Sequence, residues 1–371
     1  MYPNKLKTWL SQFKQYYFTY SKGFYHLPYN GASPQSLIES FDGFPFVKHS
    51  KPNQHIYSNN PFCKGGFYYQ QLEEGCWIIY SKMLYKANVA YDLIYNSKRP
   101  DDLKDFQDED YYMLSLNKIQ NIASINNDVC QKLICFPQFS WTFFKPKERL
   151  CDLNFKGSDN KYLTLYFNNT WLRKNLLTNK LFVESGLNRF IQSERRYIIW
   201  PLKSNDTVLE NFDLFEKVMH IGGQAAKVDL LHLKFTTLHL IFEFFKYCRE
   251  TGVVENSSDI DYEDKFSMNK VAHYLRSNLF EKFPGVNFLA KKFNVSQTKL
   301  KTEFKQLFGK PLYQYFQDRQ MDVAKELILE NELLVKDLSY KFCYESPGKF
   351  SAAFKKCHGV TPSEVILSKG K

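Results

Sequence analysis

The 371-residue sequence lacks any run of roughly 20 nearly uncharged apolar residues, which a membrane span requires. Its greasiest stretch, residues 228–248, is broken by Asp229, His232, Lys234, His239, Glu243 and Lys246. The N-terminal stretch MYPNKLKTWLSQFKQYYFTY has no apolar core and no small-residue cleavage site, so a secretory leader is not expected. None of the eight cysteines forms a CxxC pair, which disfavours structural zinc and a disulfide framework and fits reduced thiols in a cytoplasmic protein. GxSxG, a P-loop, GxGxxG and HExxH are all absent. No histidine falls between positions 56 and 219, so imidazole cannot build a metal centre there. These absences lead to the expectation of no catalytic residues, no cofactor and no metal.

What the sequence has in excess is positive charge and aromatic rings. The formal net charge is +11, and aromatics make up 17% of the chain. Residues 266–371 hold 18 Lys+Arg against 10 Asp+Glu, a net of +8. The first 265 residues then carry 50 − 18 = 32 basic and 39 − 10 = 29 acidic groups, a net of +3. A basic terminal segment behind a nearly neutral one suggests a nucleic-acid module, the alternative being a solvated basic face.

The chain reads as five segments. Residues 1–60 form an N-terminal arm with weak periodicity. Residues 61–175 carry short aromatic and β-branched runs such as FYYQQLEE, CWIIYSKMLY and YLTLYF, separated by turn residues, which predict an antiparallel sandwich or barrel. In the second run Trp77, Ile79, Met83 and Tyr85 alternate with Tyr80 and Lys82, so one buried and one wetter face are expected. Residues 176–250 turn helical. There Leu230, Leu233, Thr237, Leu240, Phe244 and Tyr247 recur at a 3-4 spacing, which suits a seam between two chains or packing on the helix's own domain. Residues 251–265 are polar and read as a linker. Residues 266–371 are helical throughout.

Within this last segment, a short helix ending near Phe293 is followed by Ser296 as a helix cap and by QTKLKTEFKQLFG. That is helix-turn-helix geometry. The second helix buries Leu300, Phe304 and Leu307 and exposes Thr298, Lys301, Thr302 and Lys305, groups that can donate to base edges and phosphates. The pattern returns about fifty residues on. Ser346 matches Ser296, and Phe350, Phe354, Lys355 and Gly359 match Leu300, Phe304, Lys305 and Gly309. Between the two lies one long helix, PLYQYFQDRQMDVAKELILEN. Two such units on one connector can address successive major grooves.

Residues 266–371 thereby resemble the DNA-binding domain of the AraC/XylS family of transcription regulators. The resemblance is carried by LAKKFNVSQTKLKTEFKQLFGKPLYQYFQDRQMDVAKELI and FSAAFKKCHGVTPSEV. It implies sequence-specific binding of duplex DNA near promoters, most often activation, with RNA polymerase as a partner. It places base reading on Thr298, Lys301 and Thr302 of the first unit and on Gly348, Lys349 and Ala352 of the second, and gives Arg319 a structural ion pair. Ser296, Lys299, Lys305, Ser346, Ser351 and Lys355 complete the expected DNA contacts. Gly348 and Ala352 cannot make side-chain hydrogen bonds, so the second unit should read fewer bases. Cys343 stands where the family usually has glycine, so it must adopt another turn or accept strain.

The resemblance also implies a fold: an α+β multidomain chain, with a cupin-like antiparallel β-barrel and following helices ahead of an all-α tandem helix-turn-helix domain. Phe67, Tyr69, Trp77, Ile79, Tyr91 and Leu93 could hold a small effector, or simply fill the core. The whole reads as a cytoplasmic transcriptional regulator with a sensing or dimerising N-terminal domain and no membrane partner. The alternatives are an N-terminal domain that binds a protein and an enzyme fused to a DNA-binding domain.

Overall fold

A computed structural model describes residues 19–30, 33–41, 46–94, 110–127, 130–148, 151–219, 229–252, 259–329 and 334–369. The chain divides into two compact units, residues 1–121 with 137–262 and residues 122–136 with 263–371. The first is sheet-rich. The strands are β1 (Thr19–Ser21), β2 (Phe24–Asn30), β3 (Val47–Ser50), β4 (His55–Asn59), β5 (Cys63–Glu73), β6 (Cys76–Tyr85), β7 (Val89–Ile94), β8 (Tyr111–Asn127), β9 (Cys130–Phe144), β10 (Cys151–Asn154), β11 (Asp159–Asn168) and β12 (Tyr197–Leu202), of which the 122–127 part of β8 and the 130–136 part of β9 fall in the second unit. Helix α1 spans Pro34–Ser40. After β11 come α2 (Asn169–Asn175), α3 (Lys180–Glu184), α4 (Leu187–Gln192), α5 (Asn211–Val218) and α6 (Leu230–Thr251).

The strands form two sheets, ordered β1-β2-β7-β10 and β12-β9-β8-β11-β6-β5-β4-β3. Neither closes on itself, so the expected barrel takes the form of two open sheets. The described registers are antiparallel except that of β2 with β7, which run parallel. Ile78 and Tyr80 of β6 share a core with Tyr112, Trp141, Phe143, Phe167, Phe190, Phe215 and Phe244, drawn from strands and helices alike. Trp141 sits against Phe244 at 5.1 Å between ring centroids, and Phe143 lies 5.9 Å from Phe167. On the other side of β6, Trp77 and Ile79 pack with Leu37 and Ile38 of α1 and with Tyr69. The expected wet face of β6 is therefore absent over Cys76–Ser81 and begins only at Lys82. The cause is that elements cover both faces of the sheet there, and alternation within one strand cannot register a second cover.

Helix α6 opens on Asp229, whose carboxylate accepts from the backbone N–H groups of Leu231 and His232, and closes at Gly252 with φ 60°. Leu233, Thr237, Leu240 and Phe244 of the 3-4 stripe are buried in the core of their own unit. The stripe is thus not a free seam between chains. The opposite face carries a second apolar set: Leu231, Phe235, Leu238 and Phe242 are 79%, 70%, 53% and 51% exposed.

At the far end of this unit Ile260 is buried and its carbonyl accepts from the Tyr197 hydroxyl, while Asp259 and Asp261 pair with Arg196. The second unit contains α7 (Tyr262–Ser277), α8 (Val286–Lys292), α9 (Gln297–Phe308), α10 (Leu312–Leu329), α11 (Val335–Lys341), α12 (Pro347–His358) and α13 (Pro362–Lys369). No helix among the described residues is long and apolar enough to cross a membrane.

Candidate nucleic-acid interface

Both helix-turn-helix units are built by the same local devices. In the first, the Ser296 side chain accepts from the Lys299 backbone N–H at 3.2 Å and starts α9. Gly309, at φ 74°, ends it. In the second, the Ser346 side chain accepts from the Lys349 N–H at 3.3 Å, Pro347 stands in the first turn, and Gly359 at φ 77° ends α12. The preceding turns match as well. Val295 N–H bonds the Ala290 carbonyl at 3.0 Å, and Tyr344 N–H bonds the Ser339 carbonyl at 2.9 Å. Each turn passes through a left-handed non-glycine residue, Asn294 (φ 55°) and Cys343 (φ 60°). The second turn is one residue longer, with Glu345 inserted before its cap.

Cys343 therefore accepts the left-handed strain rather than evading it. Its thiol donates to the Phe280 carbonyl at 3.4 Å. A side chain at left-handed φ costs roughly 1–2 kcal/mol, part of which glycine returns through its larger unfolded-state entropy. Cys343→Gly should raise the stability of the second unit by up to about 1 kcal/mol. An unchanged or lower calorimetric midpoint would show that the thiol contact outweighs the backbone relief.

The packing orients the reading faces. Leu300, Phe304 and Leu307 are buried beneath α9, and Phe350 and Phe354 beneath α12. Thr298, Lys299, Lys301, Thr302 and Lys305 are exposed on α9, with Ser296 at its start. On α12 Gly348, Lys349, Ala352 and Lys355 are exposed, and Ser346 and Ser351 half-buried. A Cβ at Gly348 would meet no atom closer than 4.0 Å, so packing does not demand the glycine.

Charge divides these residues in a way spacing could not reveal. Lys299 Nζ lies 2.6 Å from the Asp264 carboxylate on α7, and Lys349 pairs with Glu345, which that pairing holds below the usual carboxylate range. Lys301, Lys305 and Lys355 carry no ion pair among the described residues. The connector α10 is fixed from several sides. Arg276 donates to the Tyr315 hydroxyl at 2.7 Å and Gln320 donates to the Leu279 carbonyl at 2.7 Å, while within the helix itself Arg319 pairs with Asp322 at 3.0 Å.

Among the residues considered for an effector pocket, Phe67, Tyr69, Trp77 and Ile79 share one aromatic cluster. Tyr91 packs in a different one with Tyr85 and Met83, and the Leu93 side chain lies outside the described residues. The structure does bring Ser21, His26 and Asp92 into line, with 2.9 Å from Ser21 Oγ to His26 Nε2 and 3.0 Å from His26 Nδ1 to Asp92. That order resembles a hydrolytic triad. Ser21 stands on an exposed strand. The bonds fasten β1, β2 and β7 together.

Residues 289–367 match the protein family described as "Helix-turn-helix domain". Over 103 residues the chain is 29% identical to the F1 operon positive regulatory protein of Yersinia pestis, a match covering 28% of this chain and 34% of that protein. The chain thus spans about a third of that relative's length. Among solved structures, it is similar to the C-terminal domain of AraT, a response regulator from Geobacillus stearothermophilus, at 25% identity over 28% of this chain and 84% of that one, with a TM-score of 0.26. It is also similar to fatty-acid-bound ToxT from Vibrio cholerae, at 15% identity over 80% of this chain and 97% of that one, with a TM-score of 0.27.

Proposed function

We propose, from a C-terminal module that is a DNA-binding domain of the AraC type, that this chain is a sequence-specific regulator of transcription, and an activator. The observation that carries the reading is the construction of α9 and α12. Two capped helices of the same build, each following a turn through a left-handed residue, present Lys301 and Lys305 on one and Lys355 on the other without ion-pair partners among the described residues. Such cations can replace counterions along phosphates while neighbouring hydroxyls read base edges. The first unit reads more bases. In the second, Gly348 and Ala352 offer no polar group, and Lys349 is engaged by Glu345. The N-terminal unit senses an apolar effector against the cluster of Phe67, Tyr69, Trp77 and Ile79, or mediates self-association.

Self-association would use the outward face of α6. Leu231, Phe235, Leu238 and Phe242 follow a 4-3-4 spacing, which reads the same in both directions. A two-fold antiparallel pairing needs that property, since it sets Leu231 against Phe242 of the partner subunit and Phe235 against Leu238 of the partner subunit.

The DNA-binding reading is tested on the full chain with a mapped operator. The logarithm of affinity should fall linearly with the logarithm of salt concentration, at a slope of about 0.9 per phosphate contacted. Lys301→Ala should weaken binding by about 1–3 kcal/mol and relax base preference at one position in the half-site under α9. A flat salt response would overturn the proposal, and greater stringency under α12 would overturn the division of labour between the two helices.

A further inference from the structure

The second unit also gathers three side chains that DNA binding does not use. Cys357 and His358 occupy the last turn of α12, and Asp322 sits on the connector α10. One ligand atom from each lies within 4.8 Å of the other two. We propose that Asp322, Cys357 and His358 form a binding site for a divalent, thiophilic cation of the zinc class, which ties the end of the second recognition helix to the connector.

The side-chain chemistry selects the ion. A thiolate, an imidazole and one carboxylate suit zinc or cobalt(II), whereas magnesium and calcium require oxygen ligands throughout. Ligands at zinc bond lengths stand roughly 3.4–3.8 Å apart around a tetrahedron, so side-chain movements of about 1 Å close the triangle. Water or a second carboxylate oxygen takes the fourth position. The charges balance, because one carboxylate, one thiolate and a neutral imidazole together neutralise a dication. On binding, the Cys357 S–H bond breaks, its proton passes to solvent, and a sulfur–metal bond forms.

Two further observations point to a ligand. His358 Nε2 lies 3.0 Å from the Met321 backbone carbonyl oxygen. A carbonyl only accepts, so Nε2 carries the hydrogen and, in the neutral ring, Nδ1 keeps its lone pair. Anchoring one ring nitrogen on a carbonyl is how metal-binding histidines are normally held. The Cys357 thiol, meanwhile, has no hydrogen-bond partner among the described residues, although it is part-buried. Arg319 now occupies one oxygen of Asp322 at 3.0 Å, and an arriving cation competes with it. The site does not depend on the DNA-binding reading and stands or falls separately.

The test uses the full-length protein, reduced with a phosphine and stripped with a chelator, then titrated with cobalt(II). One equivalent should produce a thiolate-to-cobalt charge-transfer band that zinc abolishes. Cys357→Ser should lose the band while melting like the metal-free wild type. Asp322→Asn should weaken cobalt binding by about tenfold or more. The proposal is overturned if the wild type gives no band, or if Cys357→Ser binds with the same band and stoichiometry. Should Cys357→Ser misfold, Asp322→Asn decides alone, and unchanged affinity there also overturns it.

Discussion

Replacing Leu233 and Leu240 together by glutamate is expected to abolish cooperative melting of the N-terminal unit. Both side chains are at most 1% exposed, in the same core as Trp141 and Phe244. An unpaired buried carboxylate costs several kcal/mol even after pKa adjustment, and two of them approach or exceed the roughly 5–15 kcal/mol by which a domain is stable. The informative control is Phe235→Glu with Leu238→Glu on the outward face of the same helix. There the new charges meet water, so the unit should stay folded, and any dimer should dissociate. Circular dichroism and light scattering separate the outcomes. A soluble, folded monomer from the Leu233 and Leu240 pair would mean that this face of α6 does not belong to the core.

The second large effect lies in the C-terminal unit. Phe304→Ala should destabilise it by about 3–5 kcal/mol, the range for deleting a buried ring. Phe304 is fully buried, 4.5 Å from Phe308 and 5.2 Å from Tyr315 in an edge-on contact. The void would open beside the Tyr315 ring, whose hydroxyl accepts from the buried Arg276 guanidinium. Little can collapse into it without disturbing that bond. Operator affinity should fall with stability even though Phe304 faces away from the reading surface. A loss below about 1 kcal/mol by calorimetry would show that α9 repacks around the gap.

The sequence made the C-terminal unit legible because its devices are local. Ser296 and Ser346 as caps, Gly309 and Gly359 as stops, and the 3-4 spacing of Leu300, Phe304 and Leu307 depend on neighbours a turn or two away. Matched caps hide the longer second turn, in which Cys343 stands three residues before Ser346 while Asn294 stands two before Ser296. Ion pairs were the harder part. Exposure and spacing make Lys299 and Lys349 equivalent to Lys301, and only the carboxylates of Asp264 and Glu345 beside them set the two apart. The N-terminal unit was legible as strands followed by helices, but not in its covers. The pattern in β6 marks Trp77 and Ile79 as facing inward and says nothing of what lies over Tyr80. The stripe on α6 likewise announces a buried face without naming its partner, and the second apolar set is masked by the first on the same helix.

The packing of Trp141 against Phe244 has an optical consequence. All five tryptophans, Trp9, Trp77, Trp141, Trp171 and Trp200, precede residue 201, and residues 263–371 contain none. Light absorbed by indole is therefore emitted only from the N-terminal portion, with Trp141 and Trp171 buried in its core. Emission excited in that band follows changes in this portion of the chain alone. The C-terminal unit, which carries tyrosines such as Tyr274 and Tyr315, stays dark at those wavelengths. Indole emission can thus follow the N-terminal portion by itself as denaturant is added, without a label or a truncation.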